Sequence, residues 1–191
     1  MLRYYSWLDF ETGGFDPDRC PVFQIANIIT DHNLNVLAGF RSYIKPPEGI
    51  VYLKENEQKP DDGWYHTEGA FNAHHIDLEE IQNAPSEYKV MALFESLSDE
   101  YAPLLAPAGY NTPFDWEKFL PVMEARTGIR IPVDGRDRGL DIMLHAKNHL
   151  GNPRSGYKLT DIARKFEIET GGAHDAYRDL EMTIEVARHL I

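Results

Sequence analysis

The chain has 191 residues, 42 % of them hydrophobic and 12 % aromatic, enough to bury the core of one domain over residues 1–191. Thirty-one acidic against nineteen basic residues give a net charge of −12, which excludes a protein that coats duplex nucleic acid by charge alone. The single cysteine, Cys20, rules out an internal disulfide and a thiolate zinc site.

No apolar run approaches the ~20 residues that span a bilayer, and Met1–Tyr5 lacks the pattern of a secretory signal. A soluble, cytoplasmic protein with no membrane partner is therefore expected. In chain order, Leu2 to Glu11 reads as a strand ending at the turn Thr12-Gly13-Gly14. Val22 to Asp31 and Val36 to Lys45 read as two more, joined as a hairpin by the polar spacer His32–Asn35 and stopped by Pro46-Pro47. From Glu48 to Ile81 the periodicity dissolves among nine acids and two lysines, and a long solvated loop is expected.

Order returns at Pro85-Ser86, where Val90, Leu93, Phe94, Leu97 and Tyr101 recur at helical spacing. Leu104 to Tyr110 is a short apolar strand, and Thr112-Pro113 opens a helix with Thr as cap and Pro at its first position. Arg138 to Met143 reads as a strand or a strand-to-helix junction. Lys158 to Phe166 and Asp175 to Ile191 read as helices. Three β runs followed by alternating β and α imply a mixed five-stranded α/β sheet, an antiparallel hairpin beside parallel strands, flanked by helices.

Acidic residues stand at informative places in this order. Asp9 and Glu11 alternate with Leu8 and Phe10, so both carboxylates leave the first strand on one face. Their backbones lie ~7 Å apart, close enough for flexible carboxylates to share a pair of cations. Oxygen ligands alone suit Mg²⁺ or Mn²⁺ better than zinc. Ala176, Asp179, Thr183, Val186 and Leu190 share one stripe of the last helix, which turns Asp179 toward the core. A carboxylate there needs compensation by a cation, an arginine or hydrogen-bond donors. His174, in the loop before that helix, is the side chain suited to take a proton near neutral pH. Asp115, third in its helix, fits the position of a capping acid, and only the company of the other acids makes it a metal candidate.

Three segments together resemble the motifs of the DEDDh 3′→5′ exonucleases, the proofreading-exonuclease superfamily. Leu8-Asp9-Phe10-Glu11-Thr12-Gly13-Gly14 is similar to the first motif, Gly109–Asp115 to the second, and His174-Asp175-Ala176-Tyr177-Arg178-Asp179 to the third. The likeness to the nuclease core of bacterial exodeoxyribonuclease I is greatest around Gly109–Asn111 and Ala173–Ala176. The resemblance implies an RNase H-like fold, two Mg²⁺ ions (Mn²⁺ as substitute) and release of 5′-mononucleotides from the 3′ end of a single strand. It implies that Asp9 bridges both ions, that Glu11 and Asp179 complete the first site, and that Asp115 helps to hold the second. His174 is then the general base. DNA is the favoured substrate; RNA, as in the oligoribonuclease-like branch, and a non-catalytic nucleic-acid-binding module are the alternatives. The chain departs from the pattern at Tyr110, where many relatives carry His.

Substrate contacts are expected from Thr12, Phe15, Ile76 and Asn111. Thr12 follows the acid pair but also fits a turn, and Phe15 fits either base stacking or a turn-side core position. Ala73-His74-His75-Ile76 resembles the family's Val-His-Gly-Ile stretch beside the 3′ nucleotide, with His75 in place of Gly and Ile76 as an apolar wedge. His145 and His149 stand four apart as a zinc pair would, without a third ligand, and read as surface histidines. Cys20 reads as a loop residue. Finally, Arg126–Lys165 holds nine Lys or Arg against four Asp, and this basic stretch, with Arg136, Arg138 and Arg154, is expected to border the strand's path.

Overall fold

The first two strand-forming runs pair along almost their whole length. The computed structural model describes residues 3–136, 139–151 and 157–191; Arg138 and Arg154 lie outside them. Strand β1, Tyr4–Thr12, runs antiparallel to β2, Val22–Thr30, which pairs in turn with β3, Val36–Tyr43. The hairpin between β2 and β3 closes on Asp31, whose Oδ1 accepts the backbone N–H groups of Asn33 and Asn35 at 2.8 and 2.9 Å. On the other side of β1, β6 (Leu105–Gly109) pairs parallel over Tyr4–Trp7 only, and the two-residue β7 (Leu140–Asp141) completes the order β3-β2-β1-β6-β7. This is the five-stranded mixed sheet expected from the sequence.

Both faces of the sheet are covered. On one face Trp7, Ala26 and Ile28 pack against α4 (Ile142–Leu150), α5 (Leu159–Lys165) and α6 (Ala176–Leu190). On the other, Leu8, Phe10 and Ile25 meet Met91 and Phe94 of α2 (Glu87–Asp99), Trp116 and Phe119 of a π-helical turn at Pro113–Phe119, and Leu120 and Met123 of α3 (Leu120–Thr127). No helix among the described residues is long and apolar enough to cross a membrane.

The expectation of a loop over Glu48–Ile81 is corrected. That stretch contains β4 (Val51–Leu53) paired parallel with β5 (Tyr65–Thr67), then α1 (Glu68–His74) capped by Thr67. It is tied to the end of β1 through backbone bonds, Thr67 N–H to the Gly13 carbonyl at 2.8 Å and Tyr65 N–H to Arg19 at 3.0 Å. Space at this junction is tight, since a Cβ on Gly13 would stand 3.0 Å from the Tyr65 carbonyl oxygen. Cys20 lies in the loop between β1 and β2, as expected, and is buried there with Leu53 and Tyr65.

Candidate active site

The acids meet where β1 ends. Asp9 and Glu11 project from the face covered by α6, and Asp179 comes down from the first turn of that helix. One oxygen from each of Asp9, Glu11 and Asp179 lies within 4.8 Å of the other two, the only such carboxylate, histidine and cysteine group among the described residues. With water largely removed and other negative charges close by, these groups resist ionisation. Burial first, then Asp179 and Asp175, push the Asp9 carboxyl up to about 8; burial, then Asp9, Asp179 and Asp175, push Glu11 up to about 9. Asp179 is also raised, mainly by burial, against the opposing pull of the His174 backbone N–H. This arrangement fits divalent cations: the donors are oxygens alone, and they are preassembled.

Asp115 approaches from the opposite face. Because β6 leaves β1 after Trp7, the Phe10 N–H has no strand partner there, and Asp115 Oδ1 accepts it at 3.0 Å. The expected capping role is thus corrected: Thr112 makes no side-chain cap bond, and the acid is spent on the strand. The turn that delivers it is π-helical, with Leu120 N–H bonded to the Asp115 carbonyl, a wide geometry that recurs at functional sites. Burial, then Asp9, raise the Asp115 carboxyl well above the usual range.

His174 has a left-handed backbone, φ 70°, and donates its N–H to both Asp179 oxygens at 3.3 Å. Its side chain is exposed on the loop beside the acids. Asp175 caps α6 through the Tyr177 and Arg178 N–H groups.

The expected substrate contacts divide. Phe15 is 80 % exposed, edge-on to Phe114 at 6.1 Å, so the core alternative does not hold. Thr12 is buried and donates its hydroxyl to the Gly14 carbonyl at 2.8 Å, as a turn residue does. Asn111 forms the turn into the second motif at φ 64°, its N–H held by Asp141 Oδ1 at 3.0 Å. Ile76 is only 7 % exposed and packs with Phe23 and Ile81, which leaves little of it to wedge between bases. His75 occupies φ 54°, the left-handed region where glycine is unstrained. Tyr110 donates its hydroxyl to the Tyr157 carbonyl at 2.6 Å.

Sequence reasoning passed over Gln24, Arg41, Asp141 and Asp175. A polar residue inside the apolar run of β2 is a signal for Gln24, and an acid at a helix start is one for Asp141 and Asp175; Arg41 gives none. His145 and His149 are exposed on α4 and belong to no metal-ligand group among the described residues, as expected of surface histidines. In the basic stretch two arginines are engaged by acids: Arg136 donates to Glu124 at 2.6 and 2.7 Å, and Arg126 to Glu87 at 3.0 and 3.2 Å.

Residues 6–187 match the exonuclease family model of the RNase T type. The chain belongs to this exonuclease family. Its three motifs are those that resemble the DEDDh 3′→5′ superfamily, and the matched span contains all of them. Among curated relatives, the oligoribonuclease of Escherichia coli O157:H7 is 36 % identical over 58 residues, 30 % of this chain and 29 % of that protein. The oligoribonuclease of Yersinia enterocolitica serotype O:8 is 50 % identical over 32 residues, 17 % of this chain and 18 % of that protein. The matches thus span under a third of those relatives. Among solved structures, Escherichia coli exonuclease I with single-stranded DNA and zinc superposes with a TM-score of 0.78 at 23 % identity, over 97 % of this chain and 40 % of that one. The same enzyme with a dA16 oligonucleotide gives 0.77 at 22 %, again over 97 % and 40 %. This likeness establishes a shared fold.

Proposed function

We propose that this exonuclease removes 5′-mononucleotides from the 3′ end of single-stranded DNA in the cytoplasm, with two Mg²⁺ as cofactor and Mn²⁺ as substitute. The observation that carries the reading is the mutual approach of Asp9, Glu11 and Asp179 within 4.8 Å, beside a histidine whose backbone is bonded to one of them. Asp9, Glu11 and Asp179 would hold the first ion, and Asp115 would help to hold the second. Divalent cations bound there supply the positive charge that attracts a phosphodiester and makes water more acidic.

The protein groups do the rest. His174, free in side chain and fixed in backbone, accepts the proton of the water that attacks the terminal phosphorus. As the new P–O bond forms, the bond to the preceding nucleotide's 3′ oxygen breaks. The buried floor of Leu8 and Phe10 beneath the acids keeps the carboxylates in place. Phe15, exposed three residues beyond Thr12, offers a face on which a base stacks.

A second reading, the same chemistry on short RNA, is favoured by the oligoribonucleases among the curated relatives. Matched 3′- and 5′-labelled DNA and RNA oligonucleotides with Mg²⁺ or chelator separate the two. Chelator-sensitive shortening from the 3′ end, faster on DNA, is the expected result. Faster loss from RNA selects the second reading, and binding without shortening of either would mean a binding module.

A further inference from the structure

The loop that carries His174 is held from the sheet by side chains outside the acid set. Strand pairing aligns Glu11 with Gln24, and Asp9 with Ala26 and then Arg41. Residues directly opposite in a sheet share a face, so Gln24 and Arg41 stand on the side of the acids, one and two strands away at about 4.8 Å per strand. Gln24 is 1 % exposed and uses both ends of its amide. Its Oε1 accepts the Ala176 N–H at 2.8 Å and its Nε2 donates to Asp175 Oδ2 at 3.3 Å. Arg41 Nη1 donates to that same Oδ2 at 2.6 Å. The two residues after His174 are thereby fastened to the rows of the sheet that bear Asp9 and Glu11.

The fastening explains an otherwise unfavourable backbone. A left-handed backbone is unfavourable for a non-glycine residue and persists where its surroundings impose it. His174 has one such imposition on each side, the Asp179 carboxylate on its own N–H and the grip of Gln24 and Arg41 on Asp175 and Ala176.

We propose that Gln24 and Arg41 are positioning residues for His174, setting the reach of its ring to the site formed by Asp9 and Glu11 by holding Asp175 and Ala176. The proposal rests on the exonuclease reading above. Neither residue has to touch the substrate, so their loss acts on turnover and not on binding.

The test uses Arg41→Ala, Arg41→Lys and Gln24→Met, each alone and combined with His174→Ala. Turnover of a 3′-labelled oligonucleotide with Mg²⁺ is measured beside backbone amide hydrogen exchange of the metal-free protein. Arg41→Ala and Gln24→Met are each expected to lower kcat on the order of tenfold with KM within about twofold, as a small misplacement of a catalytic group does. Arg41→Lys restores most of the loss. Gln24→Met speeds exchange at Ala176 while the amides of α2 keep their protection. In the His174→Ala background neither substitution lowers kcat further, because the group they position is gone. Losses that multiply in full with His174→Ala, or a kcat that stays at the wild-type value in Arg41→Ala, overturn the proposal. A wild-type protein that leaves the 3′ end intact overturns the exonuclease reading instead, a result told apart by the wild type alone.

Discussion

Asp179 and Asp115 approach one site from opposite faces of the sheet, and they are held in different ways. Asp179 stands on the first turn of α6 and is steadied by the N–H of a loop residue, His174. Asp115 is buried in a π-helical turn and is bonded to the spine of β1 itself, at the Phe10 N–H. One acid is placed by a loop that side chains restrain. The other completes the hydrogen bonding of the strand that bears Asp9 and Glu11. Removing the first is therefore a change in chemistry, while removing the second is a change in chemistry and in the fold.

The baseline for that contrast is the acid both faces share. Asp9→Ala is expected to reduce turnover on the order of 10³-fold, the scale of losing a central electrostatic group, and to raise the melting temperature in chelator by removing a buried carboxyl that is desolvated and crowded by other acids. Unchanged turnover on labelled oligonucleotides would remove Asp9 from the site.

Asp115→Ala and Asp179→Ala then break or sharpen the contrast directly. Both should lower turnover on the order of 10²-fold. Only Asp115→Ala leaves a buried backbone N–H without a partner, a loss of about 1–3 kcal/mol, and Asp115→Asn, which keeps an acceptor, recovers most of that stability without recovering turnover. Equal denaturant midpoints for Asp115→Ala and Asp179→Ala would show that the two acids are held alike.

The sheet-end acids and the buried histidines of the β5–α1 segment should respond to pH in opposite senses. Burial lowers His66 and His74 to about 4, and each therefore adds stability above 6.5 that is lost as pH falls toward 4. Asp9 and Glu11, raised to about 8 and 9, add stability at low pH that is lost as pH climbs through those values. In metal-free protein the two histidines offset part of the acids' effect from about pH 4 to 6.5, Asp115 and Asp179 adding to the acids' side, so stability should fall most steeply above 6.5. Melts from pH 4 to 9 check this: Mg²⁺ should remove the decline above 6.5, and His66→Phe should unmask a decline with rising pH below it. A metal-free protein that grows more stable from pH 7 to 9 would contradict the cluster.

The smallest effect concerns the basic stretch. Arg136→Ala is expected to lose roughly 1–2 kcal/mol through its fork on Glu124, with oligonucleotide affinity and its salt dependence unchanged. A weaker salt dependence would place Arg136 on the strand's path.

How much of this site the sequence discloses depends on the range of the forces involved. The two-residue alternation of Asp9 and Glu11 and the three-four spacing through Asp179 are local, and both carried through to the structure. The β4–β5 pair did not show, because strands of three residues are too short for a period and are held by backbone bonds to Gly13 and Arg19 that leave no pattern. Its histidines read as polar, yet His66 and His74 stack at 5.3 Å within an aromatic cluster. Asp115 satisfied every local rule for a cap, and its partner is 105 residues away in the chain. Gln24 and Arg41 have meaning only once the register of three strands is known.

The π-helical turn at Pro113–Phe119 also limits how this chain can change in length. Such a turn holds one residue more than the α-helical path it interrupts, and each residue rotates a helix by about 100°. Glu117 and Lys118 are exposed and look dispensable. Deleting either would restore the 3.6-residue repeat into α3 and swing Asp115 by about 100° away from the Phe10 N–H, while Trp116 and Phe119 lost their phase against the sheet. Substitution is tolerated at these two surface positions; loss of a residue is not.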